Sequence, residues 1–336
     1  MACKDTPGGQ TGMPLFLGGH PVGDVEHRTH DEVVLATRYA LNRLSSDVLR
    51  RNAAGVDPLP QLVDDVLMLG RTIRTAIADN AFNLVFQPIV DLADGRITHH
   101  EALIRFNDDQ SPEPAVLLAE ELGFGSELDR AVIGRAIDLL ARAEPHLPVL
   151  AVNLSGYSIA DTVFVDDLMA LLCRSRIESK RLMFEVTESA AVRSLPRLDS
   201  GISRLRRLGF ATGLDDFGAG TASLDRLRRL DVDFIKLDRA LVSRLGSNPR
   251  DEALLRGICQ ACLEMGVRVI GEGIETDRQA TALRALGVHG AQGWRFGRPA
   301  ARPAAGVADD RTVEENGFSD EAPGIMASDD ENRQIS

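Results

Sequence analysis

The sequence predicts an α/β protein, a single (β/α) barrel behind a short helical segment, and three observations predict it. Short β-rich apolar runs recur from Asn83 to about Pro299, separated by stretches long enough for a helix, the pattern of parallel βα units. The repetition spans about 215 residues, which suits one closed barrel better than an open doubly wound sheet, the structural alternative. Most of the runs are followed by a carboxylate or an amide, at the strand ends where a parallel barrel opens its functional face.

In chain order, residues 1–30 contain Gly and Pro and read as a loose segment. From Asp31, apolar residues Val33, Val34, Ala36, Tyr39, Ala40 and Leu44 repeat at helical spacing, and a second helix is predicted from about Pro60 to Asp79. Residues 31–80 therefore form a helical linker or regulatory segment, which would pack on the main body, mediate dimerisation or connect to another unit. Strands are predicted at Leu84–Val90, Val149–Leu154, Leu182–Val186, Ala211–Leu214, Phe234–Leu237 and Val267–Ile270. Helices are predicted at Ser126–Ala143, Thr162–Arg174, Leu195–Leu208, Ala222–Leu230 and Glu252–Met265, and the barrel unit is bounded at 81–302. From Pro303 on, nine acids stand against two arginines with little apolar periodicity, so 303–336 reads as an acidic, disordered tail.

Charge and composition exclude several functions. Fifty acidic against 38 basic residues, a net charge of −12, argue against a binder of nucleic-acid polymers, which needs a basic surface. No apolar run reaches membrane-spanning length, and the first thirty residues lack a secretory signal. Cys3, Cys173, Cys259 and Cys262 are too few for a disulfide framework, which fits a reducing, cytoplasmic setting. The Cys259-Gln-Ala-Cys262 pair lies in a helical pattern without a second pair, and reads as helix packing rather than a zinc or redox site.

The chemistry lies at the strand ends. Glu101 stands in ITHHEALIR, Asn153 in VLAVNLS, Glu185 and Glu188 in LMFEVTES, and Asp215 and Asp216 in TGLDDFG. Lys236 and Asp238 follow in FIKLD, Glu272 and Glu275 in RVIGEGIE, and Gln292 in GAQGWRFG. Brought to one rim, Glu101, Asn153, Glu185, Asp215, Asp216 and Glu272 place five carboxylates and an amide oxygen together. Such a set stays ionised only beside cations, and its hard oxygen donors favour Mg²⁺ or Mn²⁺ over zinc. Two adjacent ions would suit hydrolysis of a phosphate ester. Any one acid could instead cap a helix, Lys236 could satisfy a buried carboxylate, and Asp238 could cap a turn. His99 and His100 lack a partner at ligand spacing and read as core or solvent residues.

At these residues the chain resembles the EAL domain, the bacterial cyclic di-GMP phosphodiesterase family. Glu101-Ala102-Leu103 matches its signature, and LAEELG, AVNLS, FEVTES, LDDFGAG, VDFIKLDR, GEGIET and QGWRFGRP follow in order from about Phe82 to Pro299. The resemblance implies a TIM-like (β/α)8 barrel of the EAL type and hydrolysis of cyclic di-GMP to linear 5′-pGpG. It implies that Glu101, Asn153, Glu185 and Asp215 bind one ion, and that Asp215 bridges to a second held by Asp216. Glu272 would lie near the second ion as general base, and Lys236 near the attacking water or the scissile phosphate. Gln87, Arg105, Asp238 and Gln292 would hold the dinucleotide. Glu188 would anchor the loop after Asp216, and Glu275 would support Glu272. The family commonly pairs its barrels, which implies a homodimer. Residues 218–224 depart from the family's usual loop by one hydroxyl and an aromatic, and Gly271 replaces a commoner Ala. No cyclase-type signature precedes the domain. A receptor that binds cyclic di-GMP without cleaving it is the alternative, and a scaffold with no nucleotide site the third reading.

Overall fold

A computed structural model describes residues 16–17, 20–21, 29–47, 59–106, 111–142, 149–187, 194–218, 223–245 and 248–304. Most of the 1–30 segment and of the 303–336 tail lies outside the described residues, as do Glu188 and loop positions 219–222. Two short strands, β1 (Phe16–Leu17) and β2 (His20–Pro21), pair with each other. The helical segment follows as α1 (His30–Asp47) and α2 (Leu59–Ala78). Thr29 and Glu32 exchange hydrogen bonds at the start of α1, a capping box that satisfies two otherwise free amides.

Eight strands then close a barrel in the order β10-β3-β4-β5-β6-β7-β8-β9. They are β3 (Phe82–Asp91), β4 (Ile97–Phe106), β5 (Val149–Leu154), β6 (Leu182–Val186), β7 (Ala211–Phe217), β8 (Phe234–Leu237), β9 (Arg268–Gly271) and β10 (Gly290–Gln292). The helices between them are α3 (Glu113–Glu121), α4 (Gly125–Arg142), α5 (Gly156–Ala160), α6 (Thr162–Ser175), α7 (Leu195–Arg207), α8 (Ser223–Arg229), α9 (Arg239–Val242), α10 (Pro249–Glu264) and α11 (Asp277–Ala285). All six predicted strands and all five predicted barrel helices are present, with ends shifted by a few residues.

One strand departs from the parallel pattern. β3 runs antiparallel to both of its neighbours, β4 and β10, and forms a hairpin with β4. The cause is local: only five residues, 92–96, join β3 to β4, too few for the crossover that a parallel pair needs. The register still sets Gln87 opposite Glu101.

Strand residues alternate between two cores. Ile89, Ala151, Met183, Phe234 and Ile270 fill the barrel interior beneath the mouth. The outward residues, among them Val152, Phe184 and Leu214, pack against helix residues such as Ile133, Leu168 and Ile202. Phe184 meets Phe210 edge to face, with ring centroids 5.7 Å apart. The helical segment packs on the main body: Val33, Ala36, Val63, Val66 and Ile73 belong to the same buried cluster as the barrel wall. Arg74 pairs with Glu127 of α4 and lies over the Phe124 ring. Cys259 and Cys262 are buried in α10, where burial pushes their thiols up to about 11 and 12, so they pack rather than react. Among the described residues no helix is long and apolar enough to cross a membrane.

Candidate active site

Inward-facing residues near the strand ends meet at the barrel mouth, and Lys236 of β8 lies at their centre. Its side chain is 1 % exposed, and Nζ is 3.1 Å from Glu101, 2.9 Å from Glu185, 3.2 Å from Asp215 and 2.8 Å from Glu272. Burial alone would lower the pKa of this ammonium; four surrounding carboxylates raise it well above its ordinary value instead. Lys236 is therefore a permanent cation in the barrel.

Each carboxylate has a different environment. Glu101 accepts hydrogen bonds from Asn153 Nδ2 at 2.7 Å, Gln292 Nε2 at 2.7 Å and Lys236 at 3.1 Å. Burial would raise its pKa, but the Lys236 charge and these donors hold it below the usual range. Glu185, from β6, is fully buried, and burial raises it well above that range against the pull of Lys236. Asp215 is raised for the same reason, while burial and the neighbouring carboxylates push Glu272 up to about 8 despite Lys236.

Asp215 and Asp216 are adjacent, and in a regular strand they would face opposite sides. The pairing of β7 with β8 shifts register between Leu214 and Phe217, and Asp216 takes a left-handed backbone with φ of 53°. This bulge turns both carboxylates to the mouth. Desolvation, then the Asp215 charge, pushes Asp216 up to about 6.

The donor set fits divalent cations. Carboxylate oxygens of Glu101, Glu185 and Asp215 lie within 4.8 Å of one another, as do those of Asp215, Asp216 and Glu272. Asn153 Oδ1 and Glu185 Oε1 are buried without a hydrogen-bond partner. Such oxygens are costly unless something positive meets them. Five carboxylates around one ammonium leave a formal charge of four minus, to which oxygen-only ligands suit Mg²⁺ or Mn²⁺.

A cleft of about 250 Å³ opens beside this cluster, lined in part by Gln87, Glu101, Glu272, Glu275 and Gln292. Gln292 Nε2 donates to Gln87 Oε1 at 3.1 Å, which ties the two amides together. Glu275 accepts from Arg239 at 2.7 Å. Arg105 donates to the Ile104 carbonyl at 2.7 Å and is not among the cleft residues. Asp238 caps α9 by accepting from the Ala240 amide at 2.8 Å. His99 and His100 are buried in β4, and neither joins a ligand cluster among the described residues. Trp294 and Arg239 also line the cleft and escaped the sequence reading. Trp294 carried one signal: it is the only tryptophan and adjoins Gln292-Gly293.

Fold and site together define a β/α barrel whose mouth is an acidic, cation-seeking pocket beside a polar cleft. The chain belongs to the EAL domain family, whose profile matches residues 71–299. It is 31 % identical over 245 residues to "Cyclic di-GMP phosphodiesterase PdeF" of Escherichia coli (strain K12), covering 71 % of this chain and 32 % of that protein. Among solved structures, a PaMucR phosphodiesterase in complex with c-di-GMP aligns with a TM-score of 0.63 at 30 % identity, over 69 % of this chain and 97 % of that one. The FimX EAL domain of Pseudomonas aeruginosa bound to c-di-GMP aligns at 0.62 and 26 %, over 71 % and 97 %. The chain spans between about a third and a half of the length of the first curated relatives it matches.

Proposed function

We propose that this chain is a metal-dependent phosphodiesterase that opens cyclic di-GMP to linear 5′-pGpG in bacterial second-messenger signalling. One observation carries the proposal: four carboxylates converge on one buried ammonium, a fifth, Asp216, adjoins Asp215 and Glu272, and Asn153 Oδ1 and Glu185 Oε1 are left unpartnered. The charge deficit supports two divalent ions, Mg²⁺ or Mn²⁺. Glu101, Asn153, Glu185 and Asp215 would hold one and Asp215 with Asp216 the other. Bound ions would supply charge for the phosphate and lower the pKa of water.

The chain's own groups do the rest. Glu272, at the mouth beside Asp215 and Asp216, is the general base of this reading, taking a proton from the attacking water. Lys236 keeps a positive charge beneath the reacting phosphate. Gln87 and Gln292 present amide edges to the dinucleotide, Arg105 is assigned to a phosphate, Asp238 also to the dinucleotide, and Glu188 and Glu275 to supporting roles. The proposal includes a homodimer paired through the barrel and a cytoplasmic location.

Incubation with cyclic di-GMP and Mg²⁺ or Mn²⁺, followed by chromatography, tests the activity. Linear product from the wild type and none from Glu101→Ala or Asp215→Ala is the expected result. Equal turnover by both variants would refute the site, and tight binding without product would assign a receptor role instead.

A further inference from the structure

We propose that Trp294 is a stacking platform for one purine base, and that it sets the preference of the site for a nucleotide over a simple phosphodiester. Trp294 follows β10 and lines the same cleft as Gln87, Glu101 and Glu272. It is 49 % exposed, a large apolar area left open beside a polar site. The Arg298 guanidinium lies 4.0 Å from its ring centroid, within stacking range, which fixes the indole plane.

The backbone beneath it is equally constrained. A Cβ at Gly293 would lie 2.1 Å from the Ile274 carbonyl oxygen, so only glycine permits this turn. Arg295 N donates to Ile274 O, and Gly297 N to Gly293 O. Gln87 donates to the Gly297 carbonyl at 3.3 Å, so the turn bearing Trp294 is joined to the amide pair at the base of the cleft. An ordered aromatic ring held over a phosphate-handling cleft suits the π-face of a base, and a phosphodiester without bases cannot use it.

This inference rests on the phosphodiesterase reading, and its test separates the two. Trp294→Ala, Trp294→Phe and wild type are assayed with cyclic di-GMP and with a tetrahydrofuran dinucleotide, a phosphodiester that has no base or other aromatic ring, under one metal. Trp294→Ala is expected to lower kcat/KM for cyclic di-GMP roughly 10-fold or more through KM, in line with aromatic–base stacking. Turnover of the small diester is expected to stay within about twofold, and Trp294→Phe to restore most of the loss. Because Trp294 is the only tryptophan, its fluorescence should also change on adding cyclic di-GMP to metal-free wild type. Normal wild-type turnover with an unchanged KM in Trp294→Ala would overturn the stacking alone. Equal loss on both substrates would also overturn it, marking Trp294 as structural. A wild type that neither binds nor cleaves cyclic di-GMP would overturn the parent reading and this one with it.

Discussion

Asp215 and Asp216, neighbours in one strand, face the same mouth because Asp216 adopts a left-handed backbone at φ 53°. Non-glycine residues adopt that conformation at a cost, and Asn and Asp tolerate it best. Asp216→Asn keeps the backbone preference and removes only the charge. Its melting temperature is expected to match or exceed that of wild type, while Mn²⁺ affinity measured by calorimetry falls. Unchanged Mn²⁺ affinity would exclude Asp216 as a ligand.

Lys236 neutralises part of a buried acidic cluster, so its loss leaves carboxylates facing one another. Lys236→Met should destabilise the metal-free protein by roughly 3–5 kcal/mol, the usual consequence of breaking a buried ion pair from one side. Added Mg²⁺ or Mn²⁺ should recover more stability in the variant than in wild type, because the ions supply the missing charge. Thermal melts with EDTA and with metal decide this; equal metal-induced gains would count against it.

Gly213 and Phe234 are opposed on adjacent strands, and a Cβ at Gly213 would lie 2.3 Å from the Phe234 ring. Gly213→Ala overpacks the barrel interior and should cost about 1–3 kcal/mol in urea denaturation. Combining it with Phe234→Leu should cost less than the sum of the two single changes, since the same space is shared. Strict additivity would show that the ring moves aside freely.

His99 and His100 are buried, and burial pushes them down to about 3 and about 4, with the Lys236 charge adding to the effect at His99. Unfolded histidine protonates near pH 6.5, so between about 6.5 and those folded values the unfolded chain binds more protons. Their contribution is whole above about pH 6.5 and is lost as pH falls toward about 4 and then 3. Denaturation midpoints should fall between about pH 7.5 and pH 5. His100, whose two ring nitrogens have no partner, is the cleaner probe: His100→Leu should flatten that slope. An unaltered slope would assign the acid sensitivity to other groups.

The sequence carried the strand–helix alternation clearly because apolar periodicity is local: β5, β6 and β8 fall at the predicted residues. The acids were legible as strand-end residues for the same reason. Less legible were features that depend on neighbours. The hydrogen bond from Arg105 to the Ile104 carbonyl of its own strand is one of them. Trp294 reaches the cleft through a turn whose shape depends on the approach of Ile274, which no local pattern reveals.

By itself, then, the amino-acid order determined an alternating barrel with hard-oxygen donors at its strand ends, since side-chain chemistry and repeat length need only nearby residues. Only the tertiary structure decided that Lys236 meets four of those carboxylates, that β3 closes the barrel against β10 and that a bulge brings Asp216 beside Asp215. These depend on distances between residues far apart in the chain or on strand register, and closing the barrel sets both.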